Sequence, residues 1–275
     1  MQQPFTVSSS TLGTSSSYHL SIQSNLNGLC FCVLDLETMQ YVALQQLPFH
    51  SAVLDYNDLQ HALHRTLSSE PLLNLCFASV ACMYTSRSAT LIPNILNDKK
   101  LLKHFLEFNA PLNELDEVHH RPILSLDAEA VFAIPSPLAA KFSSKYKNVK
   151  FFHQCVPMLS QLPKHGELLA VNINSGFADI ALYARGELKI YNTFALQAPS
   201  DLAYFMLAIA RQHKVNEKKT GVLLSGNIGG YVGEVAKLFP ELIQAKPHTT
   251  PSIAPELEVV ADHRFTHLFS LYECA

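Results

Sequence analysis

A chain of 275 residues, 48% hydrophobic and 16% charged, has the composition of one large or two ordinary folded domains and excludes a largely disordered or fibrous protein. Its formal net charge of -3 supplies no basic field, so nucleic acid is not expected as a partner, and no apolar stretch approaches the length of a bilayer span, so membrane insertion is not expected. The six cysteines (Cys30, Cys32, Cys76, Cys82, Cys155 and Cys274) fall mostly in apolar runs, where a reduced thiol packs as a small hydrophobe, and this usage fits a cytoplasmic protein.

Residues 1–17 are rich in Ser and Thr, lack the basic-then-apolar order of a secretory signal, and read as a flexible lead. Strand-like patterning then begins: 19–26, a turn at Asn27-Gly28 that tolerates the positive φ of a tight hairpin, 29–36, and 41–47. Asp55 is placed to cap a helix reaching Leu67, with Leu59, Ala62, Leu63 and Leu67 on one face, and 75–81 reads as a buried strand. Residues 97–109 predict a helix, 123–134 one or two strands, and 149–155 another strand; Pro135 and Pro137 introduce a short helix ending near Lys145.

The same order recurs in the second half. Strands over 168–172, 178–183 and 188–196 are joined by glycine turns at Ser175-Gly176 and Arg185-Gly186, then a helix runs from about Ser200 to His213 and a buried strand over 221–225. Two units of one order imply an internal duplication, with a first lobe over 18–160, a second over 161–275, and a cleft between them. Beyond the second unit lie a short helix over 231–239, a proline-rich loop over 247–255, and an element over 262–272 whose type the pattern does not decide.

Residues 169–188, LAVNINSGFADIALYARGEL, resemble the second phosphate-loop hairpin of the actin, sugar kinase and heat-shock chaperone ATPase superfamily. Asn172 stands at the family's first acidic position, Asn174 and Ser175 at glycine positions, Gly176 at a glycine, and Asp179 at the second aspartate. Residues 20–28, LSIQSNLNG, resemble the first phosphate hairpin, with Ser21 at the leading aspartate and Gln23 at a glycine. Residues 222–230, VLLSGNIGG, resemble the strand and turn that approach adenosine, with Gly226 kept and Asn227 in place of a glycine. The resemblance implies an α/β protein of two duplicated ribonuclease-H-like lobes, each mixed sheet led by a three-stranded antiparallel meander. It is similar in kind to the degenerate actin-like modules that serve as cytoplasmic scaffolds in bacterial pilus and secretion machines.

Phosphoryl transfer in that architecture needs backbone N–H groups around the phosphates, Mg²⁺, and carboxylates that hold metal-bound water or take a proton. Asn172 brings no charge and no base, and Gln23 and Asn174 add side chains where glycine lets backbone approach phosphate. The eight positions Ser21, Gln23, Asn172, Asn174, Gly176, Asp179, Gly226 and Asn227 therefore read as a vestigial nucleotide cleft, with no catalytic residue and no metal site assigned. The expected function is an inactive scaffold with a protein partner or a second copy of itself. ATP and Mg²⁺ enter only under the alternative, an ATPase or kinase-like enzyme in which Asp179 with Asp35 or Asp127 rebuilds a metal site.

Blander readings accompany each residue. Asp179 reads as a strand-end aspartate bonded to nearby backbone, and Gly226, Gly229 and Gly230 as a strand-to-helix turn. Cys30 and Cys32 read as core packing. His119 and His120, near Asp127 and Glu129 and beside Pro122, read as a solvated loop.

Overall fold

Four strands open the chain, β1 (Phe5–Ser8), β2 (Tyr18–Asn25), β3 (Gly28–Asp35) and β4 (Gln40–Pro48), and the last three form the antiparallel meander expected from their turns. The computed structural model describes residues 5–8, 17–162, 166–247 and 250–275. Within the expected flexible lead, β1 instead pairs antiparallel with β4, because the outer side of that strand needs partners for its backbone; apart from Ser17, the rest of the lead lies outside the described residues. Asp55 accepts a hydrogen bond from the Asp58 N–H at 2.8 Å and so caps α1 (Tyr56–Ser69), which buries Leu59, Ala62, Leu63 and Leu67. The following strand, β5 (Ser79–Tyr84), starts later than the apolar pattern implies, since Pro71–Asn74 makes a short 3-10 turn.

A small second sheet follows, built from β6 (Ala89–Pro93), β7 (Asp116–Ile123) and β8 (Ala128–Pro135) in the order β6-β8-β7 and packed against α2 (Leu102–Asn109). The helix is shorter than expected because 94–96 and 98–101 form turns. His119 and His120 lie within β7 rather than in a loop. Pro122 is tolerated there because β7 is an edge strand whose outer side needs no ladder donor. Then α3 (Ser136–Lys145), β9 (Lys150–His153) and α4 (Cys155–Ser160) complete this half, with β9 parallel to β5.

The second half supplies β10 (Leu168–Asn174), β11 (Phe177–Ala184), β12 (Glu187–Ala195), α5 (Pro199–Gln212), β13 (Gly221–Gly226), α6 (Val232–Leu238) and β14 (Leu242–Gln244). Its sheet order, β12-β11-β10-β13-β14, matches the run β4-β3-β2-β5-β9 of the first sheet: a meander followed by two parallel strands. The fold is thus mixed α/β with two lobes of one design. Leu169, Val171, Ile180 and Leu182 face a core shared with α5, whereas Ala170 and Ala181, on the other side of the sheet, belong to the buried cluster of the first lobe.

The chain then returns. β15 (Ser252–Ile253) pairs with β4, and α7 (Pro255–Glu258), α8 (Thr266–Phe269) and α9 (Leu271–Cys274) follow; Leu257, Phe265, Leu268 and Phe269 cover Cys32, Leu34, Tyr41 and Leu44 on the first sheet. The proline-rich loop expected over 247–255 thus contributes a strand and a helix start; residues 248–249 lie outside the described residues. Among the described residues no helix is long and apolar enough to cross a membrane. Leu268 is fully buried on this face, so Leu268→Ala should lower unfolding free energy by about 2–5 kcal/mol in urea titration and expose the C-terminal segment to proteolysis before the rest of the chain.

Candidate functional site

Asp179 lies in β11, directly opposite Asn172 of β10 and Thr193 of β12, with no exposed surface. That register points side chains of both neighbouring strands at one carboxylate. Thr193 Oγ1 donates to Oδ1 at 2.8 Å and Tyr191 OH at 3.0 Å; Asn174 Nδ2 donates to Oδ2 at 3.1 Å and Asn172 Nδ2 at 3.4 Å. The fifth donor comes from the first lobe, where Gln154 Nε2 lies 3.2 Å from Oδ2. Gln154 is fixed in turn by Ser86, whose carbonyl accepts from its Nε2 at 2.6 Å and whose N–H donates to its Oε1 at 3.2 Å.

None of these donors carries a charge. Burial therefore outweighs the hydrogen bonds from Thr193, Tyr191, Gln154 and Asn172, and the Asp179 carboxyl is held above its ordinary range. Burial, then the Asp179 charge, pushes Tyr191 and Cys155 upward in the same place.

The network continues from Asn172. Its Oδ1 accepts from Ser225 Oγ at 3.2 Å, and Ser225 Oγ lies 3.0 Å from His267 Nε2 on α8. With the serine proton directed to Asn172, the imidazole carries its proton on Nε2; its buried Nδ1 has no partner among the described residues. Next along the chain, the Gly226 N–H donates to the His263 carbonyl at 2.9 Å, and His263 Nδ1 donates to the Gly226 carbonyl at 2.9 Å. A Cβ at Gly226 (φ +78°) would stand 2.2 Å from the Ile173 carbonyl oxygen, so glycine is required by the approach of β13 to β10.

Of the eight positions singled out in the sequence, the structure gathers Asn172, Asn174, Asp179 and Gly226. Asp179 is not bonded to nearby backbone, as its blander reading expected; its partners are side chains, because its register buries it beneath β12. Ser21 lies elsewhere, sealed under His19, whose Nε2 is 3.1 Å from its Oγ. Gln23 donates to Thr85 Oγ1 at 3.3 Å. Gly176 sits at an exposed hairpin tip with open space around it, and Asn227 is exposed. Asp35 caps its own turn by accepting the Glu37 N–H, and Asp127 accepts from Asn94 Nδ2, so neither joins Asp179. His120 meets Glu129 at 2.6 Å while His119 faces Phe132 and Phe151, as alternation along a strand requires.

Sequence reasoning missed Gln154, Tyr191, Thr193, Ser225, His263 and His267. The alternation of Tyr191 and Thr193 on the strand opposite Asp179 is a signal for two of them; Gln154 and the histidines come from segments far apart in sequence.

The sequence profile of the family described as "Protein of unknown function (DUF3822)" matches residues 8–241. The chain belongs to that family. No curated protein matches it in sequence. Among solved structures it is similar to a Bacteroides thetaiotaomicron protein with actin-like ATPase fold and unknown function, at 17% identity and TM-score 0.73, over 90% of this chain and 96% of that one. It is also similar to a chain of the PilM–PilN type IV pilus biogenesis complex, at 11% identity and TM-score 0.63, over 92% and 97%. A third is the ethanolamine utilization protein EutJ from Carboxydothermus hydrogenoformans, at 6% identity and TM-score 0.51, over 98% and 93%. The DUF3822 chain therefore has the actin-like ATPase fold.

Two outcomes follow from the buried groups of this chain. Asp179→Ala strands five donors and should cost about 3–5 kcal/mol in urea titration, whereas Gln154→Ala, which removes one, should cost about 1–3 kcal/mol. The second concerns pH. Burial lowers His19 to about 4, His153 to about 3 and His267 to about 4, all below a free imidazole, so their stabilisation is whole above pH about 6.5 and is lost as pH falls toward those values. Asp179, raised, works oppositely: its contribution is whole below the ordinary carboxyl range and lost as pH rises through the folded value. Melting midpoints should fall as pH drops from about 7 to 4.5, and His267→Gln should flatten that fall; an unchanged slope refutes its assignment as a buried neutral histidine.

Proposed function

We propose that this DUF3822 protein is a non-catalytic, actin-like protein-interaction module in which the chain's own side chains fill the nucleotide position of the cleft. The observation that carries this reading is the saturation of Asp179. Both its oxygens are taken by neutral donors, one of them from the opposite lobe, and no second carboxylate stands among its partners. A magnesium ion needs open carboxylate oxygens, and phosphates need free N–H groups. The residues present do not fit Mg²⁺ and ATP: the Gly226 N–H and carbonyl are both occupied by His263, and Ser21 is sealed by His19.

Three further features support the interaction role. Ile95 and Leu124, 91% and 89% exposed, lie at the same end of the small sheet, where Pro93 and Ile123 both pair with Ala128. The similar PilM chain was solved in a complex with PilN. The shared strand order of the two sheets supports an origin by internal duplication, which leaves a two-lobed frame after the phosphate chemistry is gone.

Titration of the purified protein with millimolar ATP and Mg²⁺ tests this. A ligand bound only by the folded state adds about 2.7 kcal/mol at a hundredfold excess over Kd, so the expected result is an unchanged melting midpoint and no heat of binding. A raised midpoint accompanied by phosphate release would establish the enzyme reading instead.

A further inference from the structure

Two sheet edges face one slot at the rim of the cleft. β12 borders the five-stranded sheet and β6 the three-stranded one, each with a single strand partner, so alternate N–H and C=O groups along their other sides are unpaired by any strand among the described residues. Both line a pocket of about 380 Å³, β6 through Ala89, Thr90 and Leu91 and β12 through 190–193. Folded proteins normally blunt such edges with charge or proline. Here Glu187 and Lys189 guard the start of β12 and Pro93 ends β6, while the stretches lining the pocket contain neither.

The wall chemistry narrows the occupant. Arg87 is the one charged residue lining the pocket among the described residues; it is exposed and makes no hydrogen bond or ion pair with another of them. Thr90, Asn109 and Asn192 add neutral polar groups, and Asn192 Oδ1 accepts the Thr193 N–H at 2.8 Å. The volume lies in the small-ligand range, which suits a few residues of extended chain.

We propose that this slot binds an extended acidic segment of a partner protein by strand addition to β12, the peptide backbone pairing with the outer edge, where it displaces the Asn192 side chain from the Thr193 N–H, and one of its carboxylates meeting Arg87. The proposal rests on the interaction-module reading and supplies the place and the chemistry of the partner. β12 is already held rigid on its other side by β11 and by the bonds from Tyr191 and Thr193 to Asp179, so little order is lost on pairing.

Panning a displayed library of short linear peptides on the full chain provides the probe, and deuterium exchange with an enriched peptide reads where it lies. The expected result is slowed exchange of the amides over 189–193 and enrichment of sequences carrying Asp or Glu. N-methylation of alternate peptide amides should weaken binding roughly tenfold in one register and little in the other, because only one set faces β12. Arg87→Glu should weaken binding about tenfold with an unchanged melting midpoint. Failure to enrich any peptide, protection confined elsewhere, or equal tolerance of N-methylation in both registers overturns the proposal. None of these readouts depends on nucleotide, so ATP binding that defeats the interaction-module reading is told apart from failure of the site.

Discussion

A carboxylate with no exposed surface must be compensated where it stands, and much of this protein's arrangement follows from compensating Asp179. Left unpaired in a low-dielectric interior, the charge would cost several kcal/mol after relaxation, a sizeable part of the roughly 5–15 kcal/mol that hold a domain folded. Five neutral donors from three segments offset that cost without a cation. Meeting this requirement sets the register of β10 and β12 against β11 and brings the end of β9 up to the second sheet through Gln154. Ala170 and Ala181, on the same side of that sheet as Asp179, are small enough to let the first lobe approach.

The C-terminal return completes the closure from another direction. After β14 the chain goes back to the first sheet at β15, and then sets His263 and His267 against Gly226 and Ser225. The seam therefore runs from Ser86 and Gln154 in one lobe through Asp179, Asn172 and Ser225 in the other, and ends on a helix packed against the first. Each link is a neutral hydrogen bond or one to a single buried carboxylate, so the seam joins the lobes with little net charge. An ATPase cleft needs the reverse, open donors and carboxylates left for a metal. The Asn172 amide donates to Asp179 and accepts from Ser225, two roles no ionised carboxylate can combine.

The fold was legible because it rests on local signals. Asn-Gly and Arg-Gly turns, period-two strands and the Asp55 cap mark elements within a few residues of themselves, and their repetition marks the two lobes. The site was half legible for a related reason. Asn172, Asn174 and Asp179 share one hairpin, so their proximity is written in its register, whereas Gln154 and His267 approach only through tertiary packing. The strand at Phe5–Ser8 escaped notice because four residues beside a Ser-rich stretch show no periodicity; the neighbour β4 makes them a strand. His119 and His120 were misplaced because Pro122 argues against a central strand, and nothing local announces that β7 lies at an edge.

Closing the base of the cleft and leaving its rim open are two sides of the same strand. β12 directs Tyr191 and Thr193 inward to Asp179, and that commitment fixes the strand along the stretch where its outer backbone lines the slot. In a nucleotide-driven relative the lobes must move, and an edge spanning them would change shape with each turnover. Here the Gln154–Asp179 contact ties the two lobes together beside β12, so that under the proposed function the residues filling the nucleotide position also steady the geometry between β6 and β12. Under the proposed function, the same amides and hydroxyls around Asp179 account both for a filled nucleotide position and for a rigid docking edge.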